Sequence, residues 1–464
     1  MCPRRITIRR EKKRMNPAIE DVDTNTCAFT CVSRCEKGFY ESLSMKLEVS
    51  SVMWDNSFSY STSFENVSWA REINLEDNLK QYQEKFEITR KFKELPSGAL
   101  KPSDYLRLIE SHIPEKLISS QNYSEIKNVT RYFTGGLTSF FGFEKRLMNP
   151  DAPSDYLIAV SALKGERNAL IHLLENEKLP HAVLHKSEWK QLHRFALSWA
   201  NPKSEIHENV LGVWLEFDIA DVSSEISIPS VFLQTVPLRI DSPADVKNCT
   251  WVTRNAIPCL EGKPVSEKLE KYFLEIVQKL PKGASVFHVA SMLSRKTEGM
   301  RVVIKRIHPD DIVPYLKTIG WTDKENGLSQ LIKELKEFVD CIRLHINISD
   351  HVDLKVGLEC FISPEKYNQE NGWTDFLTYL VKKGLCQPEL RSSLLEFTGV
   401  EQENPADTFS LDSYLPSVKI PDTEFSKALV RYISHVKISY EPKKTIEAKA
   451  YTGVRLFGRL ESSS

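Results

Sequence analysis

The sequence lacks a long apolar run and an excess of charge of either sign. No apolar stretch approaches the roughly 18 residues that a membrane-spanning helix needs, so we expect no membrane span. The 62 basic residues balance 63 acidic ones, which gives no electrostatic reason to expect nucleic acid or an anionic membrane as a partner. The basic start has no apolar segment of a signal peptide, so we expect a cytoplasmic protein.

The cysteines do not form the pattern of a disulfide framework, because nine are scattered over 464 residues and the number is odd. Cys27, Cys31 and Cys35 are the exception, since they are evenly spaced in a short segment. Radical SAM enzymes space their three cluster cysteines unequally, whereas both gaps here are equal. A metal or cluster at this triplet is one interpretation, and an N-terminal segment without order is the other.

Several catalytic motifs are also missing. There is no Gly-rich phosphate loop and no Gly-x-Ser-x-Gly elbow, so nucleophilic catalysis has no support from these motifs. Asp310-Asp311 lacks the distal Asp of an Asp-rich magnesium motif. Asn326 and Ser329 begin something like a second magnesium motif, but Glu334 is one position too far to complete it. We interpret both stretches as helix N-terminal residues and predict no metal site. His345 with His351 is the remaining metal alternative.

Paired strand-like runs dominate the second half of the chain. Four times, two runs with alternating apolar and polar residues are joined by a turn, and a helical pattern separates most pairs from the next. The runs are 210–219 with 226–234, 285–294 with 300–307, 341–349 with 352–362, and 435–440 with 445–453. The stretch 155–174 is either a fifth hairpin, turning at Lys164-Gly165, or a helix.

The alternation separates two environments, because successive strand side chains point to opposite faces. In the third pair one face is apolar and must be buried, whereas the other is polar and carries Arg343, His345, Lys355 and Glu359. Helical stripes separate the pairs, at 266–280, 328–339, 373–384, 388–397 and 423–433.

These elements predict an α+β fold in which hairpin and helix units repeat. The simplest closed arrangement is an antiparallel β-barrel with helices outside and a polar lumen. We expect a poorly ordered segment over 1–70, a mainly helical region over 71–204, the barrel region over 205–457 and a tail over 458–464.

The repeated units resemble the prenyltransferase (ABBA) barrel of aromatic prenyltransferases, including the dimethylallyl-tryptophan synthase class. The resemblance covers about 205–457 and is one of architecture and residue type. In that family strand-mounted Lys, Arg and Tyr hold an allylic diphosphate, often as Lys-x-Tyr, and Lys449-Ala450-Tyr451 has this form. The resemblance implies transfer of a prenyl group to an aromatic small molecule or peptide of specialised metabolism, without magnesium or another cofactor.

Specific side chains can be assigned to this chemistry. Fixed cations stabilise a departing diphosphate, and aromatic walls protect an allylic cation from water. The candidate diphosphate ligands are Arg301, Lys305, Arg343, Lys355, Lys437, Lys449 and Tyr451. Trp214 and Tyr451 are the candidate aromatic shield, and Glu216 or Glu359 is the candidate proton acceptor.

Two other functions fit the same residues. The polar face could belong to a non-catalytic ligand-binding or scaffold protein, or to an enzyme that acts on another phosphorylated substrate. A row of lysines on a sheet face is most often only solvated, and Glu216 with Asp218 could equally be an exposed strand face.

Overall fold

A single antiparallel sheet organises the molecule. The computed structural model describes residues 92–94, 101–138, 140–162, 166–176, 179–219, 226–295, 299–323, 326–362, 372–402 and 425–460. Its strands are β1 Phe92–Glu94, β2 Phe140–Arg146, β3 Asp155–Ser161, β4 Val210–Phe217, β5 Ser230–Leu238, β6 Ser285–Ser291, β7 Met300–Lys305, β8 Cys341–Ile348, β9 Val352–Phe361, β10 Gly399–Gln402, β11 Phe425–Tyr440 and β12 Glu447–Leu460.

Ten of these strands close into a barrel. Neighbours pair in the order β2, β3, β4, β5, β6, β7, β8, β9, β11 and β12, and β12 pairs with β2 to complete the circle. The short strands β1 and β10 extend the long β11 and β12 pair and are not part of the circle. Closure leaves the ten strands without a free edge, and it confirms the predicted antiparallel barrel.

The four hairpins predicted from the alternation are present as β4–β5, β6–β7, β8–β9 and β11–β12. The fifth hairpin is β2–β3. Strand β3 begins at Asp155, as the hairpin interpretation of 155–174 predicts. Its hairpin partner is β2, which precedes it in the chain, and not a strand that follows it. The Lys164-Gly165 turn lies outside the described residues, and Glu166 already begins a helix.

Helices surround the barrel. They are α1 Pro102–Ile109, α2 Ser120–Thr130, α3 Glu166–Leu174, α4 His181–Leu184, α5 Ser187–Ala200, α6 Glu205–Asn209, α7 Lys247–Trp251, α8 Ile257–Glu261, α9 Glu267–Gln278, α10 Pro309–Thr318, α11 Gly327–Leu335, α12 Gly372–Lys382 and α13 Pro388–Phe397, with a π-helical turn over Val252–Ala256 between α7 and α8. Their apolar stripes pack on the outer barrel face, and together they form one large core.

One predicted helix is wrong. The stretch 423–433 has helical spacing, yet β11 runs as a strand from Phe425 to Tyr440. Its first half pairs with β12, which continues beyond Gly453 to Leu460. The partner strand is distant enough in sequence that local periodicity did not indicate it. Pairing with β12 therefore overrides the local pattern.

The magnesium-like stretches are helix starts, as predicted. Asp310 and Asp311 lie in the first turn of α10, and Asn326 is the residue before α11. Cys27, Cys31 and Cys35 lie outside the described residues, as do the segment 1–70 and most of the tail. No helix within the described ranges is long and apolar enough to cross a membrane.

Candidate active site in the barrel lumen

Cross-strand register brings the predicted cations together. Arg343 of β8 lies opposite Glu359 of β9, Glu359 lies opposite Lys437 of β11, and Lys437 lies opposite Lys449 of β12. The intervening residues of these strands belong to the outer core, so this set faces the lumen. We call Arg343, Lys437 and Lys449 the cation row.

Lys437 occupies the centre of the cation row. It is 8% exposed, and among the described residues its amine has no hydrogen bond or ion pair. Burial lowers the pKa of Lys437 to about 7, with a further contribution from the charge of Arg301 and partial opposition from Glu359. Gly357 lies beneath the side chain, where a Cβ would be 2.9 Å from the Lys437 Cε. The glycine therefore provides space for this lysine.

Lys449 and Tyr451 share one carboxylate. The Lys449 Nζ and the Tyr451 hydroxyl both donate to Glu144 of β2, which is 2% exposed. Burial alone would raise the pKa of Glu144, but Lys449 and the two hydrogen bonds outweigh it and lower the pKa to about 2. Glu144 is thus an ionised carboxylate that satisfies both members of the Lys-x-Tyr motif.

Glu359 has two imidazoles beside one of its oxygens. The Nε2 atoms of His345 and His435 lie 2.6 Å and 3.4 Å from its Oε1 atom. Arg343 is more distant, with Nη1 4.0 Å from Oε2. Burial opposes ionisation, yet the charge and hydrogen bonding of the two imidazoles lower the pKa of Glu359 well below its usual range. Burial also lowers the pKa of His345 to about 3 although Glu359 opposes this shift, so the His345 imidazole is neutral near pH 7.

Aromatic rings line the next positions along the same strands. The His435 ring stacks on Tyr451 at a centroid distance of 4.3 Å and on Phe361 at 4.9 Å. The Arg343 guanidinium lies 4.0 Å from the centroid of the Phe361 ring and 4.9 Å from that of Phe287. The cation row is therefore bordered by π faces, which attract cations.

A small apolar cluster lies across the barrel circumference from the cation row. Phe232, Ala290 and Met292 pack together with Trp214, separately from the main core. Phe140 meets Trp214 edge to face at 4.7 Å. We call Trp214, Phe232, Ala290 and Met292 the lumen patch. It comes from β4, β5 and the β6 end, whereas the cation row comes from β8, β11 and β12.

Glu216 lies two residues from Trp214 on the same face of β4. Its Oε1 atom is 3.3 Å from Arg295, which also contacts Asp218 at 2.8 Å. Burial, followed by the charge of Glu144, raises the pKa of Glu216 to about 7, although Arg295 opposes the shift. This carboxyl therefore titrates near neutral pH.

The other predicted ligands are placed differently. The Arg301 Nε atom donates to the Asn347 Oδ1 atom at 2.9 Å, and the Lys305 amine lies 5.5 Å from the Phe287 ring centroid. Both side chains face the lumen. Lys355 is exposed near the end of the β8–β9 hairpin, where it pairs with Glu447 at 2.9 Å. The structure does not bring Lys355 to the cation row.

Three residues of the lumen were not predicted from the sequence as site residues. They are Glu144, Phe140 and Arg295. Strand β2 reads Phe140-Phe141-Gly142-Phe143-Glu144, so both of its faces carry aromatic residues and the polar alternation is weak. Phe141 and Phe143 pack in the outer core, whereas Phe140 does not belong to it. The isolated Gly142 was the available signal, since a Cβ there would be 2.0 Å from the Thr452 carbonyl oxygen of the neighbouring strand.

Metal ligands are not grouped in the described part of the chain. No set of three or more His, Cys, Asp or Glu side chains is arranged there to hold an ion. His345 lies in the lumen, and His351 is exposed in the β8–β9 turn beside Asp350.

No known family profile matches the sequence, and no curated protein matches it. Solved structures do match. The 5-dimethylallyltryptophan synthase of Streptomyces coelicolor is similar at 12% identity and a TM-score of 0.44, over 75% of this chain and 95% of that one. The 6-dimethylallyltryptophan synthase of Micromonospora olivasterospora is similar at 11% identity and a TM-score of 0.42, over 76% and 97%. Prenyltransferase PriB matches at 10% identity and a TM-score of 0.43, over 75% and 93%.

Proposed function

We propose that this protein transfers an allylic prenyl group from a prenyl diphosphate to an aromatic acceptor. The carbon–oxygen bond of the donor breaks, a bond from the prenyl carbon to the acceptor forms, and diphosphate and one proton are released. The acceptor is a small molecule or peptide with an electron-rich ring.

The cation row is the observation that carries this proposal. Arg343, Lys437 and Lys449 come from three strands of a closed barrel, so their positions are fixed before a ligand binds. A diphosphate leaving group carries about three negative charges, and fixed cations in a site with little water stabilise it as it departs. The unpartnered amine of Lys437 supports this role, because an anion would supply the contact that the described residues do not.

The aromatic rings beside the cation row are suited to stabilise the allylic cation that forms when diphosphate leaves. An allylic cation must meet the acceptor before it meets water, and aromatic faces stabilise it meanwhile. Tyr451, His435 and Phe361 border the diphosphate position. The lumen patch, which contains Trp214, offers an apolar and aromatic surface for the acceptor.

Glu216 is the proton acceptor in this proposal. It lies beside Trp214, and a pKa of about 7 suits proton transfer near neutral pH. Glu359 has a pKa well below its usual range, so it is a weaker base and instead orients His435 and His345. The chain's own cations supply the charge that magnesium supplies elsewhere, so we propose that no metal is needed.

Product formation tests the proposal. The protein is incubated with dimethylallyl or geranyl diphosphate, an indole or phenol panel and a metal chelator, and prenylated products are identified by mass spectrometry. Product that depends on Lys437 and on the protein supports the proposal. Binding of the donor without turnover of any acceptor favours the non-catalytic reading, and binding of other phosphorylated compounds in preference to prenyl diphosphates overturns the donor assignment.

A further inference from the structure

We infer that Lys437 is a reactive amine that condenses with aldehydes bearing a phosphate group, for which pyridoxal 5′-phosphate is the probe. This property goes beyond the proposed prenyl transfer. It depends on the surroundings of one lysine and does not require any acceptor to be prenylated.

The position of Lys437 gives the first argument. Its side chain is buried against Gly357, and among the described residues its amine makes no hydrogen bond or ion pair. Burial lowers the pKa of the amine most, and Arg301 and then Lys449, directly across on β12, lower it further, whereas Glu359 and Glu144 oppose the shift. A desolvated amine near other cations loses its proton readily, and the neutral amine is the nucleophile.

The lowered pKa of the Lys437 amine distinguishes this residue from surface lysines. Its pKa of about 7 means that about half of the amine is neutral at pH 7. An ordinary lysine with a pKa of about 10.4 is neutral in fewer than about one molecule in a thousand at that pH. At equal access, Lys437 should therefore react faster at pH 7, by less than the roughly thousandfold difference in neutral amine, because a less basic amine is a weaker nucleophile.

The neighbours of Lys437 explain the preference for a phosphate. Lys449 lies directly across from Lys437, and Arg343 lies on the far side of Glu359, so a phosphate close to the reacting carbonyl has two further cations near it, whose charge Glu144 and Glu359 partly offset. Glu359 lies opposite Lys437 but is adjacent to His345 and His435, and no hydrogen bond or ion pair joins the amine to the described residues. A neutral aldehyde gains none of this attraction.

Imine formation at Lys437 requires neither an oxidant nor a reductant. The Lys437 nitrogen attacks the aldehyde carbon, a carbinolamine forms, and water leaves to give the imine. Added borohydride then reduces the imine to a stable secondary amine. An anion already bound at the cation row favours the protonated amine, so diphosphate should slow the reaction.

The experiment measures imine formation on the full-length protein at pH 7. Pyridoxal 5′-phosphate is added at low excess, the imine absorbance is followed, and the reduced adduct is located by peptide mapping. We expect modification at Lys437, with a rate that rises through about pH 7. Lys437→Arg keeps a positive charge but cannot condense, so it should lose the adduct. Lys383→Arg is the matched control, because Lys383 is 47% exposed and paired with Glu334.

Several outcomes would overturn the inference. These are modification spread evenly over surface lysines, a rate that rises only near pH 10, or a full adduct in folded Lys437→Arg. Circular dichroism and unfolding of each variant establish that it is folded. The phosphate-free control is 5′-deoxypyridoxal, which cannot close to the internal hemiacetal of pyridoxal. It should react at least tenfold more slowly, and equal rates would contradict the role of the cation row. Prenyl transfer is assayed on the same samples, so failure of one claim is distinguished from failure of the other.

Discussion

Lys437 and Glu359 lie directly opposite each other on neighbouring strands, yet their side chains form no ion pair. Glu359 is instead adjacent to the imidazoles of His345 and His435, and the Lys437 amine has no polar partner among the described residues. A buried, unpaired cation is costly for a fold unless something else compensates it. We therefore expect the lumen to bind an anion.

Replacing Lys437 tests this expectation. Lys437→Met should lower the affinity for dimethylallyl thiolodiphosphate by about 10-fold to 100-fold, because a charge-assisted contact contributes about 1.5 to 3 kcal/mol. The variant should fold and be at least as stable as the wild type without ligand, since it no longer buries an unpaired amine. Calorimetric titration and urea unfolding measure the two effects. Lys383→Met controls for loss of a surface charge, and unchanged affinity in Lys437→Met would remove this residue from the site.

Glu144 is predicted to stabilise the fold through Lys449. Glu144→Gln leaves the partly buried amine of Lys449 without its carboxylate, and breaking such a pair costs up to about 3 to 5 kcal/mol when both partners are buried. The double variant Glu144→Gln with Lys449→Met should recover a large part of this loss, because no unpaired charge remains. Urea unfolding of the four proteins gives the coupling free energy. A coupling near zero would show that the pair does not act as a unit.

Glu216 should make stability depend on pH. Its folded pKa of about 7 exceeds the unfolded value of about 4.3, so the folded state binds more protons between these pH values. The contribution to stability is complete below about pH 4.3 and is lost as the pH rises through about 7.

Glu216→Gln stays neutral over that range, so its Tm relative to the wild type should rise from about pH 5 to about pH 8. Thermal unfolding at several pH values measures the difference. The matched control is Glu337→Gln, because Glu337 is exposed. A Tm difference that is flat with pH would show that Glu216 is already ionised at the lower pH.

Replacing Trp214 should distinguish acceptor binding at the lumen patch from diphosphate binding at the cation row. Trp214→Leu removes an aromatic face from the lumen patch but leaves the cation row intact. Inorganic diphosphate should bind as before, whereas prenyl transfer to an aromatic acceptor should fall at least tenfold. Titration with diphosphate and product assays measure the two quantities. Equal loss of both would mean that Trp214 supports the barrel as a whole.

The repeated hairpins and the polar inner face could be predicted from sequence because each hairpin carries its own evidence. Alternation and turns are local patterns, and in the third hairpin the apolar face and the polar face can both be recognised within about twenty residues. Strand β2 could not be found in this way, because Phe140, Phe141 and Phe143 make both of its faces aromatic. The first half of β11 was missed since its partner is the far end of β12.

The sequence was sufficient to predict which residue types form the candidate site, but not which of those residues lie next to one another. Lys437 and Lys449 were recognisable as strand cations, but register across several strands decides which cations meet. Lys355 has the same alternation as Glu359, yet it lies near the exposed end of β9, where it pairs with Glu447. Glu144 is about three hundred residues from Lys449 in sequence, so only the closure of the barrel brings them together.

Ligand-dependent unfolding would show whether the lumen binds a prenyl diphosphate. Thermal and urea unfolding are measured with dimethylallyl and geranyl diphosphate, with and without magnesium, and with inorganic diphosphate and ATP as controls. A ligand at a hundred times its Kd adds about 2.7 kcal/mol to the free energy of unfolding. Allylic diphosphates should stabilise the protein more than diphosphate alone and without magnesium, and in Lys437→Met the same ligand concentration should add only about 0.4 to 1.4 kcal/mol. No stabilisation by any phosphate compound would contradict this expectation.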